Sequence, residues 1–289
     1  MPEALRRASQ LSEGERAEII SAADAWSGQH HREAIPEQVR FGLEQSIGLL
    51  HLIGRGAQGE LLYVQGHPRE GAIEFSTFGG GVSAEQLAAI EGVCAEQQKT
   101  PLLWQRGGAE VAAGVHQGFE VSREIIRMKA RLTGTGPPTV PAGVFVRTFR
   151  PGRDEATWLD LNARSFPEHP DQGRVSAEDL EERKRATWFR SDGFFIVNVG
   201  DTPAASCWMK IHEDPWGATG EIYAIGVDPD FIGTGLGRMA AQIGLNWLRE
   251  QALDSAVLFV ESDNDAALNL YRSLGFEEEW RDTVWSPKP

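Results

Sequence analysis

The 289-residue sequence has few of the features that mark secreted, membrane-spanning or disulfide-stabilised proteins. Its two cysteines, Cys94 and Cys207, have no C-x-x-C spacing and are too few for a disulfide framework. The longest apolar runs, such as residues 49–53, fall far short of the roughly 20 residues of a membrane span. The first residues carry no apolar stretch of the signal-peptide type. We therefore expect free thiols in a reducing cytoplasm and no membrane partner.

Basic residues are scarce relative to acidic ones, with 28 Lys and Arg against 42 Asp and Glu and a formal net charge of −14. Such a charge repels phosphate backbones and anionic lipids, so no nucleic-acid partner is expected. A neutral or cationic small substrate suits this field better. The histidines at positions 30, 31, 51 and 67 match no metal-ligand spacing, and no metal is expected. We also expect a monomer.

The length predicts about two domains, and the composition indicates where the chain divides. Residues 133–143 hold three prolines and three glycines, which disfavour both helices and strand ladders. We place the boundary in this segment, which gives predicted domains of residues 1–138 and 139–289.

Both halves predict a mixed α/β fold with a similar succession of elements. The second half predicts the order β-α-α-β-β-β-α-β-α-β, in which Ser176 and Asp179 form a capping box and Gly275 ends the last helix. Its predicted strands are 144–149, 194–199, 204–211, 221–227, 257–260 and 276–285, and its helices 154–166, 176–189, 235–249 and 265–274. The first half is less regular, with predicted helices at 10–25, 36–45, 83–97 and 109–117 and strands at 47–53, 60–65, 72–77, 102–104 and 125–132.

A glycine-rich segment follows the predicted strand that ends near Asp228. Gly233, Gly235 and Gly237 allow the backbone to approach a ligand closely. The helix that begins there presents unpaired N–H groups and the positive end of its dipole, an arrangement suited to a diphosphate, and Arg238 adds positive charge. A simple tight turn between strand and helix is the alternative interpretation.

Two further features lie near this segment in the predicted fold. Gly226 lies near the end of its strand, where glycine often marks a β-bulge, and a bulge would leave the Val227 N–H free to stabilise an oxyanion. Asn264 and Tyr271 are two helical turns apart and share one face of the last helix. A capped helix start can hold one part of a ligand while Tyr271 reaches another, although Tyr271 would serve equally as a core aromatic residue.

Taken together, these segments resemble the GNAT acyltransferase superfamily. The loop is similar to its Q/R-x-x-G-x-G/A motif, and the last helix to its N-x-x-A-x-x-x-Y-x-x-x-G-F motif, at Asn264, Ala267, Tyr271, Gly275 and Phe276. The resemblance implies two tandem GNAT-like domains, each a mixed, mostly antiparallel sheet flanked by helices. In the first domain, residues 78–83 are glycine-rich but lack the motif's spacing and basic residue. That copy is therefore expected to be degenerate, neither catalysing nor binding CoA well, and to wall the substrate cleft.

Within the superfamily, the second half is similar to the mycothiol synthase family in segments 169–173, 208–212, 220–223 and 260–264. The resemblance implies that acetyl-CoA donates an acetyl group to the cysteinyl amine of the pseudodisaccharide Cys-GlcN-Ins (desacetylmycothiol). Direct attack of the amine on the thioester is implied, with no covalent enzyme intermediate. An acetyltransferase for another primary amine, such as a peptide N-terminus or an aminoglycoside-like compound, and a non-catalytic acyl-CoA-binding module are the alternatives.

The resemblance also implies roles for individual residues. Glu221 would be the general base, acting through water, and Val227 would donate its N–H to the oxyanion. Tyr271 would be the general acid at the departing thiolate, or would only hydrogen-bond the sulfur. The implied acetyl-CoA contacts are Ile225, Gly226, Val227, Ile232, Gly233, Thr234, Gly235, Leu236, Gly237, Arg238, Asn264, Asp265, Ala266, Ala267, Leu268 and Asn269. The implied contacts to the acceptor are Glu37, Asp171, Lys210, Glu221 and Phe259.

The sequence departs from the family pattern at three of these positions. Ile232 stands where Gln or Arg usually opens the loop, which is a minor change because backbone N–H groups do most of the phosphate binding. Phe259 replaces a tyrosine expected to contact the substrate, so one polar contact is in doubt. Asp171 replaces a glutamate and keeps its charge.

Overall fold

The computed structural model describes residues 6–8, 10–30, 35, 40, 43, 50–55, 61–68, 71–78, 84–106, 115–133, 136, 138–167, 172–214 and 217–289. The chain divides into two compact units. The first comprises residues 1–126, 261–263 and 280–289, and the second residues 127–260 and 264–279. The assignment of a structural role to residues 1–138 and a catalytic role to residues 139–289 stays a prediction.

The first unit has the predicted mixed sheet. Its elements are β1 (Arg6–Ala8), α1 (Glu13–His30), β2 (Leu50–Arg55), β3 (Leu61–Pro68), β4 (Ala72–Phe78), α2 (Ala84–Glu96), β5 (Thr100–Gln105), α3 (Val115–Gly118) and the start of β6 (Phe119–Arg131). The strand order is β1-β2-β3-β4-β5-β12-β6, where β12 is the C-terminal strand Glu277–Pro287, and β4 and β5 pair in parallel. The helix predicted at 36–45 and most of that predicted at 109–117 lie outside the described residues, as does the predicted cap Ser83.

The second unit confirms the predicted order of ten elements. They are β7 (Val144–Thr148), α4 (Glu155–Ser165), α5 (Ala177–Arg185), β8 (Phe194–Val199), β9 (Thr202–Asp214), β10 (Gly217–Val227), α6 (Leu236–Glu250), β11 (Ser255–Glu261), α7 (Asp265–Ser273) and β12 (Glu277–Pro287). Here the strand order is β6-β11-β10-β9-β8-β7, and β10 pairs with β11 in parallel. The Ser176–Asp179 capping box is present, but α5 ends at Arg185 rather than near Phe189.

The core of the second unit has a different composition on each face of the sheet. On one face, Phe149, Trp158, Phe194 and Trp208 pack beneath α4 and α5. On the other, α6 buries Leu236, Met239, Ala240 and Trp247, and Ile243 is only half-buried. Gly244 allows α6 to approach β9, because a Cβ at this position would collide with the sulfur of Met209. Among the described helices, none is long and apolar enough to cross a membrane.

Candidate functional site

The most distinctive feature of the second unit is the point where two parallel strands separate. Strands β10 and β11 pair only at Gly220 with Ala256 and at Glu221 with Val257. Beyond Glu221, β10 continues for six residues to Val227 and stays paired with β9 on its other edge. The edge of β10 that faces β11 is therefore open to another hydrogen-bonding partner from residue 222 onward.

Val227 directs its N–H to this open edge. The next residue, Asp228, donates its N–H to the Ala204 carbonyl at 2.9 Å on the β9 side. Successive residues of a strand point their N–H groups to opposite edges, so the Val227 N–H and, two residues earlier, the Ile225 N–H face away from β9. These two amides can hydrogen-bond an extended ligand that lies along β10.

The bulge predicted at Gly226 is wrong in position. The register between β9 and β10 shifts between Ile222 and Ala224, so the bulge lies at Tyr223, while Gly226 pairs regularly with Ser206. Gly226 is required for a different reason: a Cβ there would lie 2.8 Å from the Cβ of Ser165, at the end of α4. The open edge at Val227 thus arises from strand separation rather than from a bulge.

The glycine-rich loop has the backbone geometry that the sequence predicts. Gly233 has φ of +82° and Gly235, the N-cap of α6, has φ of +87°, a region that side-chain-bearing residues rarely adopt. The first amide within the helix ladder is that of Met239, which donates to the Gly235 carbonyl at 3.1 Å. The amides of residues 236–238 precede the ladder and project from the helix start, where anions bind.

The loop is attached to α4 through a buried carboxylate. Asp228 accepts the Asp230 N–H at 2.9 Å and the Nε–H of Arg164 at 2.7 Å. The Asp230 amide first, and then Arg164, lower the pKa of Asp228. Arg238, predicted to add positive charge at the start of α6, donates a hydrogen bond to the hydroxyl of Ser273 on α7. This contact links the starting turn of α6 to the neighbouring helix.

The spacing of Asn264, Tyr271 and Gly275 around α7 is explained by a pair of helix caps. Asn264 accepts the Ala267 N–H at 3.1 Å and caps the N-terminus. At the other end, Gly275 has φ of +87°. Its N–H donates to the Arg272 carbonyl, and the Phe276 N–H donates to the Tyr271 carbonyl, both at 3.0 Å. This is a Schellman motif, and its usual apolar contact is the edge-to-face pair of Phe276 and Tyr271. The motif therefore fixes the position of Tyr271.

Tyr271 is buried, with 6% of its surface exposed. Burial raises the pKa of its hydroxyl, and the Cys207 thiol contributes in the same direction. The Cys207 thiol is itself fully buried, and burial raises its pKa to about 12, so it is an unreactive apolar neighbour. At neutral pH Tyr271 is therefore a hydrogen-bond donor with a firmly held proton.

Glu221 lies at the residue where β10 leaves β11, and it is buried at 8% exposure. Its Oε2 lies 2.5 Å from Nε2 of His212 on β9. Lys210 is directly opposite Glu221 in the β9–β10 register and is also buried. Paired residues share a face of the sheet, so a carboxylate, an imidazole and an ammonium meet on the face that carries Trp208.

Aromatic rings hold the lysine on this face. The Lys210 ammonium lies 4.7 Å from the ring centre of Trp188 and 5.8 Å from that of Tyr223. Trp208 contacts both rings. Of the tryptophans in this cluster, Trp188 and Trp208 bury indole N–H groups that have no hydrogen-bond partner among the described residues. The side chains beside Glu221 on this face are thus one restrained ammonium group and a packed cluster of aromatic rings.

The structure gathers most of the predicted residues in the second unit but not all of them. Ile225, Gly226, Val227, residues 232–238 and residues 264–269 lie on β10, the loop with the start of α6, and the start of α7. Phe259 is 48% exposed on β11, with the Arg127 guanidinium 6.0 Å from its ring centre. Glu37 and Asp171 lie outside the described residues. Within the described part of the chain, no group of three or more His, Cys, Asp or Glu residues is arranged to hold a metal.

Sequence reasoning assigned no role to His212. Its contact with Glu221 joins two strands and depends on the register between them. The signal available in the sequence is the alternation of Trp208, Lys210 and His212, which puts these three side chains on one face of a strand.

Comparisons with known proteins identify the family of the chain. The model of the acetyltransferase (GNAT) family matches residues 156–276. A mycothiol acetyltransferase from Thermobispora bispora is 42% identical over 213 residues, which cover 72% of this chain and 71% of that protein. One from Streptomyces coelicolor is 34% identical over 282 residues, covering 92% and 89%.

The chain belongs to the mycothiol acetyltransferase family. It is an acetyltransferase of the GNAT type. A GCN5-related N-acetyltransferase from Sphaerobacter thermophilus has the same fold, with a TM-score of 0.71 at 17% identity over 100% of this chain and 98% of that one. A tandem GNAT protein from the clavulanic acid biosynthesis pathway also scores 0.71, at 15% identity and 99% coverage of both chains. The predicted fold of two tandem GNAT-like copies is confirmed.

Proposed function

We propose that this enzyme transfers the acetyl group of acetyl-CoA to the cysteinyl amine of Cys-GlcN-Ins and so forms mycothiol. The proposal is supported by family membership and by one observation above all. A buried carboxylate, Glu221, lies where two parallel strands separate, and the same strand leads into a helix start built to bind an anion.

The residues present fit acetyl-CoA as the acetyl donor. The amides at the start of α6 suit its diphosphate. The open edge of β10 offers the Ile225 and Val227 N–H groups to the amide-containing arm that joins the diphosphate to the thioester. An amide donor at Val227 would also meet the carbonyl oxygen that gains charge during reaction, and one such donor is typically worth about 2.7–4 kcal/mol.

Glu221 is suited to accept the proton that the amine loses. A peptide-type α-amine has a pKa of about 7.7–8.0, so roughly a tenth is neutral at pH 7. The neutral nitrogen attacks the thioester carbon, the carbon–nitrogen bond forms, and the proton on nitrogen passes through water to the carboxylate. The carbon–sulfur bond then breaks, and the thiolate leaves.

Tyr271 is suited to stabilise the departing thiolate by a hydrogen bond. Because burial raises the pKa of its hydroxyl, complete transfer of its proton to a thiolate is unfavourable. Tyr271 and Cys207 lie near each other on the α6 side, and Glu221 lies on the opposite face with Trp208. The opening between β10 and β11 is the place where one ligand can reach both.

The acceptor contacts are proposed for Lys210, Phe259, Glu37 and Asp171 in addition to Glu221. Lys210 is restrained by two aromatic rings beside Glu221, so it can bind a hydroxyl oxygen of the sugar or inositol without losing side-chain entropy. Phe259 offers an exposed ring that carries no hydroxyl.

The test is mass spectrometry of the products formed from acetyl-CoA and Cys-GlcN-Ins by the purified full-length chain. One acetyl group added to the amine nitrogen is expected. A peptide α-amine and an aminoglycoside serve as competing acceptors. Turnover of either competitor without turnover of the thiol sugar would contradict the proposed substrate and favour an enzyme for another primary amine. Acetyl-CoA binding without turnover of any amine would favour a non-catalytic module.

A further inference from the structure

We propose that His212 positions the carboxylate of Glu221, so that the base of this site is a carboxylate held in place by an imidazole. The inference rests on the proposed function and gives a role to a residue that the sequence motifs left without one. It is carried by the contact between Nε2 of His212 and Oε2 of Glu221 at 2.5 Å.

The geometry gives the pair a defined orientation. The Nε2–H of His212 donates to one carboxylate oxygen, which leaves the other oxygen, Oε1, for the water that bridges to the amine. The His212 side chain is 17% exposed and that of Glu221 10% exposed. A carboxylate in this setting has little freedom to rotate, and its free oxygen stays aimed in one direction. Correct orientation of a reacting group is worth a large part of a catalysed rate.

The charged groups around the pair are few among the described residues. Lys210 is directly opposite Glu221 on β9. The Arg183 guanidinium lies 5.9 Å from the ring centre of Tyr223, two residues along β10 from Glu221. On the β11 side, the partner of Glu221 is the apolar Val257.

The pair takes part in the chemical step through the Glu221 carboxylate. Glu221 accepts the amine proton on Oε1 as the carbon–nitrogen bond forms, while His212 holds Oε2. That proton then leaves Glu221 through water to solvent, and the departing thiolate takes a proton from solvent, so both protons are accounted for.

Two amide variants of His212 test whether the hydrogen bond to Glu221 matters. In His212→Gln, the amide nitrogen can occupy the place of Nε2 and keep the hydrogen bond. In His212→Asn, the amide is too short to reach Glu221. Both variants replace the imidazole by the same uncharged amide, so they differ only in the length of the side chain. The measurement is kcat at saturating substrates from pH 5.5 to 9, together with KM for acetyl-CoA and a thermal melt.

We expect His212→Asn to lower kcat about 100-fold and His212→Gln to stay within about fivefold of wild type at pH 8, since it retains the bond. KM for acetyl-CoA should be unchanged in both. Equal kcat in the two variants, whether both active or both inactive, overturns the inference even if the wild type turns over normally. A wild type that does not acetylate the thiol sugar overturns the proposed function as well.

Discussion

Strands β4 and β10 hold the same place in the element order of their units, but they leave their parallel partners differently. Strand β4 stays paired with β5 over five residue pairs, from Ala72 with Thr100 to Ser76 with Trp104. Strand β10 pairs with β11 at only two positions and then runs on for six residues. Pairing uses the amides that an acyl-CoA arm would need, so the proposed acetyl-transfer site depends on the open edge in the second unit rather than on the fold itself.

The comparison extends to the residues along the two strands. Each carries a glutamate near the region of parallel pairing, Glu74 on β4 and Glu221 on β10. Glu74 is opposite Leu102 within a continuous ladder, whereas Glu221 is the last paired residue before an opening. Glutamate therefore lies inside a continuous strand pairing in the first unit, and at the end of the pairing, where a ligand could approach it, in the second.

The largest expected effect comes from removing the proposed base. Glu221→Gln should lower kcat by about 10²- to 10⁴-fold, the usual contribution of a general base, with little change in KM for acetyl-CoA. Glu74→Gln is the matched variant in the first unit and should keep kcat within about twofold, because surface changes away from the site are small. Steady-state kinetics of both variants are the measurement. Equal losses of kcat in Glu221→Gln and Glu74→Gln would contradict the proposed difference between the two strands.

The next effect concerns the two buried tyrosines. Tyr271→Phe should lower kcat about 10- to 100-fold, since a hydrogen bond to a charged group is worth about 1.5–3 kcal/mol. Tyr63 in the first unit is buried and bonds Nδ1 of His51 at 2.8 Å. Tyr63→Phe should destabilise the fold by about 1 kcal/mol and leave kcat intact. A denaturant titration measures the loss of stability, and single-turnover kinetics measure the loss of rate. An unchanged rate in Tyr271→Phe would contradict a hydrogen bond from Tyr271 to the departing thiolate.

A smaller effect, on the affinity for acetyl-CoA, can be measured with two glycines that have positive φ. Gly235→Ala and Gly71→Ala both place a Cβ at a left-handed residue, with φ of +87° and +74° and no neighbouring atom within 4 Å. Both should lose about 1–2 kcal/mol of stability from backbone strain. Only Gly235→Ala should also weaken acetyl-CoA binding, by about tenfold, because it alters the helix start. Calorimetric titration of both variants with acetyl-CoA is the measurement, and equal affinities would argue against the loop as the diphosphate site.

The smallest effect concerns the carboxylate that anchors the loop. Asp228→Asn should raise KM for acetyl-CoA only a few-fold, and should lower stability by about 1 kcal/mol at pH 7. Because the folded pKa of Asp228 is lowered, this stabilisation is complete above the unfolded pKa and is lost as pH falls through the folded value. The stabilities of wild type and variant should therefore begin to converge as pH falls below about 4.

Asp154→Asn is the control for the loop anchor. Asp154 is buried and accepts from Arg147 at 2.6 Å, at the start of α4, away from the loop. Its pKa is likewise lowered by its arginine partners, although burial acts in the opposite direction as the largest influence. This variant should lose stability and keep its KM for acetyl-CoA. A KM change as large as that of Asp228→Asn would mean that any damage to α4 disturbs the loop.

Local patterns in the sequence predicted much of the second unit. The ten elements, the caps at Asn264 and Gly275 and the glycine loop all depend on neighbours within a few residues, where side-chain chemistry dictates backbone geometry. The Gly226 bulge was wrong because a glycine can serve either a bulge or a close approach, and only the position of Ser165 distinguishes them.

Long-range features could not be predicted in the same way. The contact between His212 and Glu221 depends on strand register, and the different lengths of the β4–β5 and β10–β11 ladders depend on how each sheet twists apart. Neither is encoded in the spacing of a single segment.

Hydrogen exchange with and without acetyl-CoA tests the central claim most directly. The account predicts slower exchange at the Ile225 and Val227 amides and at residues 233–238 when acetyl-CoA is bound, with no change along β4 and β5. Exchange that stays unchanged at residues 225–238, or that slows only along β4 and β5, would contradict it.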